Sequence, residues 1–234
     1  MNKLITILAS TLIAAGLSFA QESSAKKSDN GVGAKIAFDY GTMFGFEEED
    51  DNVDGNPSGF GFSAGIMGRV ELVNNFYFTP EIDFSYMNVS HEYLGSKREY
   101  TTMDLELPIL LRGVVAEKFY VTAGPQVNIN LSNKAKLEIP EMEMGGLTMV
   151  FDEFEEKLEQ TTLTFGIAAG AGYNIIEGLN VDFRFFMGLN ELFPDVAFAG
   201  DLTSLNEAKD GYSMINMAGA KMMKFRLGLS YWFI

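Results

Sequence analysis

The feature that most constrains this chain is a strict alternation of apolar and polar residues, which recurs from Gly31 almost to the C-terminus. Across residues 76–87, apolar side chains such as Ile82 occupy every second position, and Thr79 and Glu81 lie between them. Successive side chains of a β-strand point to opposite faces, whereas the helical period would mix the two sets. Residues 76–87 are therefore predicted to form a strand with one apolar and one polar face.

Seven further segments repeat this pattern, so the sequence predicts eight strands. Tilted strands that cross a membrane need roughly 9–11 residues, and most of the segments reach that length. The predicted strands cover residues 36–44, 60–66, 76–87, 103–111, 119–129, 163–173, 179–189 and 225–233.

The connections between these segments alternate in length. Short turns are expected at 73–75, 116–118 and 177–178, and long loops at 45–57, 88–99, 132–160 and 190–219. Short turns at one end and long loops at the other are typical of outer-membrane barrels. The predicted fold is therefore an all-β, eight-stranded antiparallel up-and-down transmembrane β-barrel with short periplasmic turns and long extracellular loops.

The N-terminus has the pattern of an export signal. Lys3 precedes an apolar run over residues 4–17, which is followed by the small-x-small cleavage pattern of residues 18–20. We expect a signal peptide at 1–20, a flexible periplasmic segment at 21–30 and the outer-membrane barrel domain at 31–234. The expected location is the bacterial outer membrane, and the absence of cysteine from the sequence excludes disulfides and thiolate metal sites.

Two kinds of barrel fit the alternation: a membrane barrel with an apolar exterior, and a soluble, lipocalin-like barrel with an apolar interior. The polar face is rich in glycine, which weakens water-exposed strands but fits a narrow, crowded lumen. Its acids and bases nearly balance, as a closed polar interior requires, because unpaired buried charge is costly. The sequence therefore favours the membrane barrel, with a lumen lined by Asp39, Glu71, Glu81, Asp83, Asp104, Glu106 and Asp182 and by Lys35, Arg69, Arg112, Arg184, Lys224 and Arg226.

Two details depart from a regular barrel. Pro80, Pro108 and Pro125 lie inside strands that should pair on both sides, and we attribute them to local bulges. The last strand ends on Phe233 followed by Ile234, although barrels of this kind usually end on an aromatic residue. Phe233 still lies in the outward frame, so we expect the barrel-assembly machinery to recognise the C-terminal strand.

Four segments resemble the PorT-like outer-membrane β-barrel family of Bacteroidetes and related phyla. They read LELPILLR at 105–112, FYVTAGP at 119–125, FGIAAGAGY at 165–173 and DFRF at 182–185. The resemblance extends over about residues 31–234. It implies eight strands and outer-membrane insertion, and for a few members of the family a role in a bacterial secretion system.

Candidate chemistry is sparse. The single histidine, His91, adjoins Ser90 in the expected loop after the third strand, but neighbours there usually point apart, so an ordinary loop histidine is favoured over a catalytic base. Residues 50–55 read DDNVDG and match the first half of a calcium loop: Asp50, Asn52 and Asp54 precede Gly55, but Gly61 stands where a bidentate glutamate should be. A solvated acidic loop is favoured over weak divalent-cation binding there, and no catalytic residue, metal ligand or cofactor is predicted.

The net charge of -15 argues against nucleic acid as a partner, because phosphate backbones are bound by clustered lysine and arginine. Most of the charge lies in the acidic loops 45–57, 132–160 and 190–219. The last two loops also carry apolar residues that either pack on one another or form a docking surface for a protein partner. These residues are Met142, Met144, Leu147, Met149, Phe151, Phe154, Leu158, Met214 and Met217.

An eight-stranded barrel is just wide enough for its own side chains. The favoured function is therefore that of a non-enzymatic outer-membrane protein acting through its extracellular loops, in envelope integrity, adhesion or a secretion complex. Expected partners are outer-membrane lipids, the assembly machinery and a protein at the acidic, methionine-rich loops. The alternatives are a narrow, porin-like channel for ions or small solutes and a lipid-modifying enzyme.

Overall fold

A computed structural model describes residues 30–45, 56–93, 96–138, 142–144, 147–149, 154–156, 162–192 and 219–233. The expected signal peptide, the segment 21–29, the acidic residues 50–55 and most of the expected loop 190–219 lie outside these residues. Within them, no helix is long and apolar enough to cross a membrane.

Eight long strands and three short ones make up the described structure. The long strands are β1 (Gly31–Phe44), β2 (Ser58–Val73), β3 (Phe76–Tyr93), β4 (Ser96–Val114), β5 (Phe119–Glu138), β9 (Leu163–Ile176), β10 (Leu179–Gly188) and β11 (Lys221–Phe233). The short strands are β6 (Met142–Met144), β7 (Leu147–Met149) and β8 (Phe154–Glu156). Each predicted strand corresponds to one of the long strands.

The eight long strands close into a barrel in the order β1-β2-β3-β4-β5-β9-β10-β11. Each strand pairs antiparallel with its neighbours, and β11 returns to β1, with Phe233 opposite Val32 and Lys221 opposite Phe44. Closure leaves no unpaired edge along the barrel wall, which is the condition for strands to cross a membrane. The predicted eight-stranded antiparallel barrel is confirmed.

Both barrel termini and the short turns lie at one end of the barrel. Asn75 at the β2–β3 turn and Gly178 at the β9–β10 turn have φ angles of 68° and 81°. Left-handed backbone of this kind suits asparagine and glycine and matches the twist of a tight hairpin. This end is called the short-turn end below, and the opposite end the long-loop end.

The prediction of a long loop at 88–99 is wrong. β3 continues to Tyr93 and β4 starts at Ser96, so the two strands form one long hairpin with a brief connection. β5 likewise continues to Glu138, and β8 pairs with it through Leu137 opposite Phe154. The outward residues of these segments turn polar, because they lie beyond the apolar band, and the apolar pattern alone therefore ended the strands too early.

The prediction of bulges at the prolines is also wrong. The pairing of β3 with β4 is interrupted between Pro80 and Asp83, but the same register resumes on both sides, and Pro108 interrupts β4–β5 pairing in the same way. The register shifts lie elsewhere, at Glu71/Val73, Met103/Asp104 and Leu179/Asn180. The Thr79 hydroxyl donates a hydrogen bond of 3.2 Å to the carbonyl of Leu110. A side chain therefore provides a hydrogen-bond donor for a backbone carbonyl near the interruption.

Candidate functional site

The barrel is apolar outside and charged inside. Ile36, Phe62 and Leu227 on the outer face keep 63%, 58% and 56% of their surface exposed, whereas Asp39 and Asp83 in the lumen are fully buried. Charged groups of a water-soluble protein are rarely buried, and its large apolar side chains are usually covered. The expected orientation, with the polar face lining the lumen, is confirmed.

Aromatic side chains pack against one another on part of the outer wall. Phe38 stacks on Phe60 with 5.5 Å between ring centroids, and Phe62 stacks on Tyr86 at 5.2 Å. Cross-strand aromatic pairs stabilise neighbouring strands by roughly 0.2–1 kcal/mol. This apolar wall is the surface that contacts lipid.

Arg226 of β11 binds three carboxylates in the middle of the lumen. Its Nε and Nη2 donate to both oxygens of Asp39 at 2.6 and 3.0 Å, its Nη1 donates to Asp83 at 3.1 Å, and Nη2 also reaches Glu106 at 2.8 Å. Asp39 lies directly opposite Arg226 on β1, whereas the other two carboxylates project from strands across the lumen. Arg226 therefore joins opposite walls of the barrel.

Three more bases extend this cluster. Arg184 donates to both oxygens of Glu81 at 2.7 and 2.9 Å. Lys35 contacts Glu81 and binds Asp83 at 2.8 Å, and Lys224 binds Glu106 at 2.7 Å. The resulting central ion network pairs four bases with four acids: Lys35, Arg184, Lys224 and Arg226 with Asp39, Glu81, Asp83 and Glu106.

An arginine–aromatic layer lines the short-turn end of the lumen. Arg69 lies 4.7 Å from the ring centre of Trp232 and 5.5 Å from that of Tyr77, and Arg112 lies 3.5 Å from that of Tyr120. The layer consists of Arg69, Tyr77, Arg112, Tyr120 and Trp232. Cation–π contacts of this kind contribute about 0.5–2 kcal/mol each.

Glycine makes room for these side chains. A Cβ on Gly172 would lie 2.2 Å from the Tyr120 ring, far inside van der Waals contact. Gly172 is directly opposite Tyr120 in the β5–β9 pairing. The glycine-rich pattern of the polar face thus reflects large side chains that cross a narrow lumen.

A methionine cap closes the described lumen at the long-loop end. It consists of Met43, Met87, Val89, Tyr100, Leu192, Ala220 and Met222, all of them buried. The apolar pattern did not reveal this cap, because Val89 falls within the expected loop at 88–99. The sequence does contain an indication of the cap, because Val89 continues the alternation that points every second residue of β3 into the lumen.

The structure corrects the position of His91. The residue is not in a loop but in β3, opposite Arg98, and it is 95% buried on the lumen side. Ser90 precedes it on the opposite face of the strand, so the pair does not form a nucleophile–base arrangement. In the described part of the chain, no group of three or more His, Cys, Asp or Glu residues is arranged to hold a metal ion.

The apolar residues expected in the third and fourth loops are only partly described. Met142 and Met144 lie in β6, Leu147 and Met149 in β7, which pairs with β6, and Phe154 in β8. Phe151, Leu158, Met214 and Met217 lie outside the described residues, as does the calcium-like segment 50–55.

Replacing Arg226 by methionine should destabilise the barrel by about 3–5 kcal/mol, because it leaves three buried carboxylates without their shared cation. Urea unfolding in lipid vesicles, followed by the loss of β-sheet circular dichroism, measures the change. The matched control is Lys97→Met, which removes an exposed ion pair with Glu99 and should cost about 1 kcal/mol or less. Equal unfolding midpoints for the two variants would contradict a stabilising role of the network.

Comparison with known proteins agrees with this architecture. Residues 19–194 match the model of the family described as "Outer membrane protein beta-barrel domain". The match includes seven of the eight barrel strands, β1 to β5, β9 and β10. No curated protein has a significant sequence match to the chain.

Solved outer-membrane proteins are similar in structure at low sequence identity. Ail, the attachment invasion locus protein of Yersinia pestis, is 14% identical with a TM-score of 0.40, over 87% of this chain and 99% of that one. Neisserial surface protein A is 11% identical with a TM-score of 0.44, over 89% and 100%. The Escherichia coli outer membrane protease OmpT is 11% identical with a TM-score of 0.35, over 91% and 99%.

The family match covers most of the chain, and the closed barrel has an apolar exterior. The chain belongs to the outer membrane protein beta-barrel domain family and resides in the bacterial outer membrane.

Proposed function

We propose that this protein is a non-enzymatic outer-membrane protein that acts through its extracellular part, in envelope integrity, adhesion or a secretion complex. The observation that carries the proposal is the filling of the lumen at two successive levels, its centre and its long-loop end. The central ion network and the methionine cap each place large buried side chains across it. A barrel filled in this way offers solutes little space to pass.

The energy of the central ion network supports the same view. Opening a path through the lumen would separate ion pairs such as Arg184–Glu81 and Arg226–Glu106, whose side chains are almost fully buried. Breaking a buried pair costs about 3–5 kcal/mol when one partner is left uncompensated. Several such pairs would have to separate together, which argues against the channel alternative.

The extracellular side offers a larger folded surface than the short turns do. In outer-membrane barrels the short turns face the periplasm, so the long-loop end is extracellular. The extracellular extension consists of the upper parts of β3, β4 and β5 together with β8. Lys97 and Lys134 are exposed on it, and its paired strands give a protein partner a folded surface.

The finer assignment is to the PorT-like family, as the segments at 105–112 and 165–173 suggest. If the chain is a PorT-like protein, the extracellular extension would contact another subunit of a secretion complex. The lipid-modifying alternative is less favoured, because His91 is enclosed on the lumen side of β3 and Ser90 faces away from it.

The purified protein should give no resolved openings in single-channel recordings across a planar lipid bilayer. The reason is that the central ion network occupies the lumen. Detergent without protein provides the baseline, and the barrel is first shown to be folded by its heat-dependent electrophoretic mobility. Reproducible unitary currents from the folded protein would favour the channel instead.

A second experiment tests the extracellular part directly. Residues 139–161 are replaced by a flexible linker of about 12 residues, which spans the roughly 30 Å between the end of β5 and the start of β9. Intact cells are treated with a membrane-impermeant amine crosslinker, which reacts with Lys97 and Lys134 in both proteins. A crosslinked species of defined mass should form with the natural chain and be lost from the shortened one.

The matched control inserts the same linker between Glu177 and Gly178, at a turn on the periplasmic side. This variant should retain the crosslinked species, because its extracellular part is unchanged. Retention of the species by the shortened variant, or its absence from the natural chain, would contradict the proposal.

A further inference from the structure

Arg112 is unusual among the buried arginines of the lumen. Arg184 and Arg226 each bind a carboxylate through two hydrogen bonds. Arg112 is 4% exposed, yet within the described ranges no carboxylate forms a salt bridge with it. Its polar contact is one hydrogen bond of 3.0 Å from Nη2 to the Asn174 side-chain oxygen.

Two buried N–H donors in this layer also lack a protein acceptor. They are Arg112 Nε and Trp232 Nε1, neither of which has a hydrogen-bond partner in the part of the chain that the structure describes. The Arg112 guanidinium lies 6.0 Å from the centre of the Trp232 rings, so the two donors belong to one region. A buried donor without an acceptor costs about 1–3 kcal/mol.

A second cation lies against the same indole. Arg69 is 4.7 Å from the Trp232 ring centre and is only half-buried, so it is the more accessible of the two arginines. Among the described residues, the acids near this region include Asp182, which is 3.8 Å from Arg184, and Glu71, which is half-buried two residues beyond Arg69 on β2. Two guanidinium groups therefore share one aromatic ring, and the acids around them do not form an ion pair with Arg112.

The aromatic contacts do not compensate fully for this arrangement. A cation–π contact contributes about 0.5–2 kcal/mol, whereas a buried cation without a counterion costs several kcal/mol. An oxyanion would provide both the missing negative charge and directional acceptors for N–H groups. Arginine is the side chain best suited to phosphate and carboxylate groups, because its planar donors match their oxygens.

We propose that the periplasmic end of the lumen is a binding site for a small oxyanion, either a phosphate or a carboxylate, held by Arg112, Arg69 and the Trp232 N–H. The ligand enters from the periplasm past Arg69. This site is separate from the extracellular surface to which we assign the main function, and it does not require conduction through the barrel.

Trp232 is the only tryptophan in the sequence, so its fluorescence reports on this site alone. The purified, folded protein in detergent micelles is titrated with potassium phosphate and, separately, with potassium acetate. Potassium chloride at equal ionic strength is the control for screening. The expected result is a saturable change in Trp232 emission with phosphate or acetate, and none with chloride; the oxyanion that saturates at lower concentration identifies the ligand class.

Two substitutions test which side chains bind the oxyanion that changes the Trp232 emission. Arg112→Gln should weaken the apparent affinity by roughly 10- to 100-fold, the loss expected when one charge-assisted hydrogen-bonding group is removed. Lys118→Gln removes a base that lies 5.9 Å from the Tyr173 ring at a neighbouring turn, and it should leave the affinity unchanged. If Arg112→Gln does not fold, Arg69→Gln replaces it, with the same expected direction and with calorimetry as a second measurement.

Three results would overturn the proposal. They are the absence of a saturable response in the natural protein, an equal response to chloride, and an unchanged affinity in the folded arginine variant.

Discussion

The pairing of β11 with β1 is the interaction on which the rest of the structure depends. It closes the sheet from Phe233 opposite Val32 to Lys221 opposite Phe44, so every barrel strand has a neighbour on both sides. In a bilayer, unsatisfied backbone groups cost several kcal/mol each, and closure removes them together. Once the sheet is closed, one face of every strand must contact lipid and the other must line the lumen.

The composition of the lumen follows from that constraint. An eight-stranded barrel has an interior just wide enough for side chains, and here long charged groups reach across it to one another. Glycine at positions such as Gly65, opposite Asp83, leaves space for them, and the balance of four bases and four acids keeps the central ion network neutral. A stable, filled barrel then carries the extracellular extension on β3, β4 and β5.

Much of this architecture could be predicted from the sequence, because alternation is a local property of each strand. The eight strands, their lipid-facing sides and the charged residues of the lumen all follow from it. The ends of β3 and β4 were not predictable from apolar residues alone, since the strands continue into water, where both faces tolerate polar side chains. His91 was misplaced for the same reason.

Which side chains pair with one another inside the lumen depends on the stagger of the strands, and the sequence pattern does not specify that stagger. Arg226 meets Asp83 and Glu106 from distant strands, and among the described residues Arg112 donates a hydrogen bond to Asn174 and forms no ion pair with an acid. The interruptions at Pro80 and Pro108 preserve register because neighbouring pairs hold the strands in place. These features arise from closure of the whole barrel and not from local sequence.

The most direct test of the two-faced barrel uses the single tryptophan, which the structure places inside the lumen next to the outward-facing Tyr231. The measurement is quenching of tryptophan fluorescence by lipids brominated near the headgroup end of their acyl chains. Trp232 of the natural protein should be quenched little, whereas a variant with Tyr231→Trp and Trp232→Phe should be quenched strongly. Strong quenching of Trp232, with little quenching at position 231, would contradict a charged lumen enclosed by a lipid-facing wall.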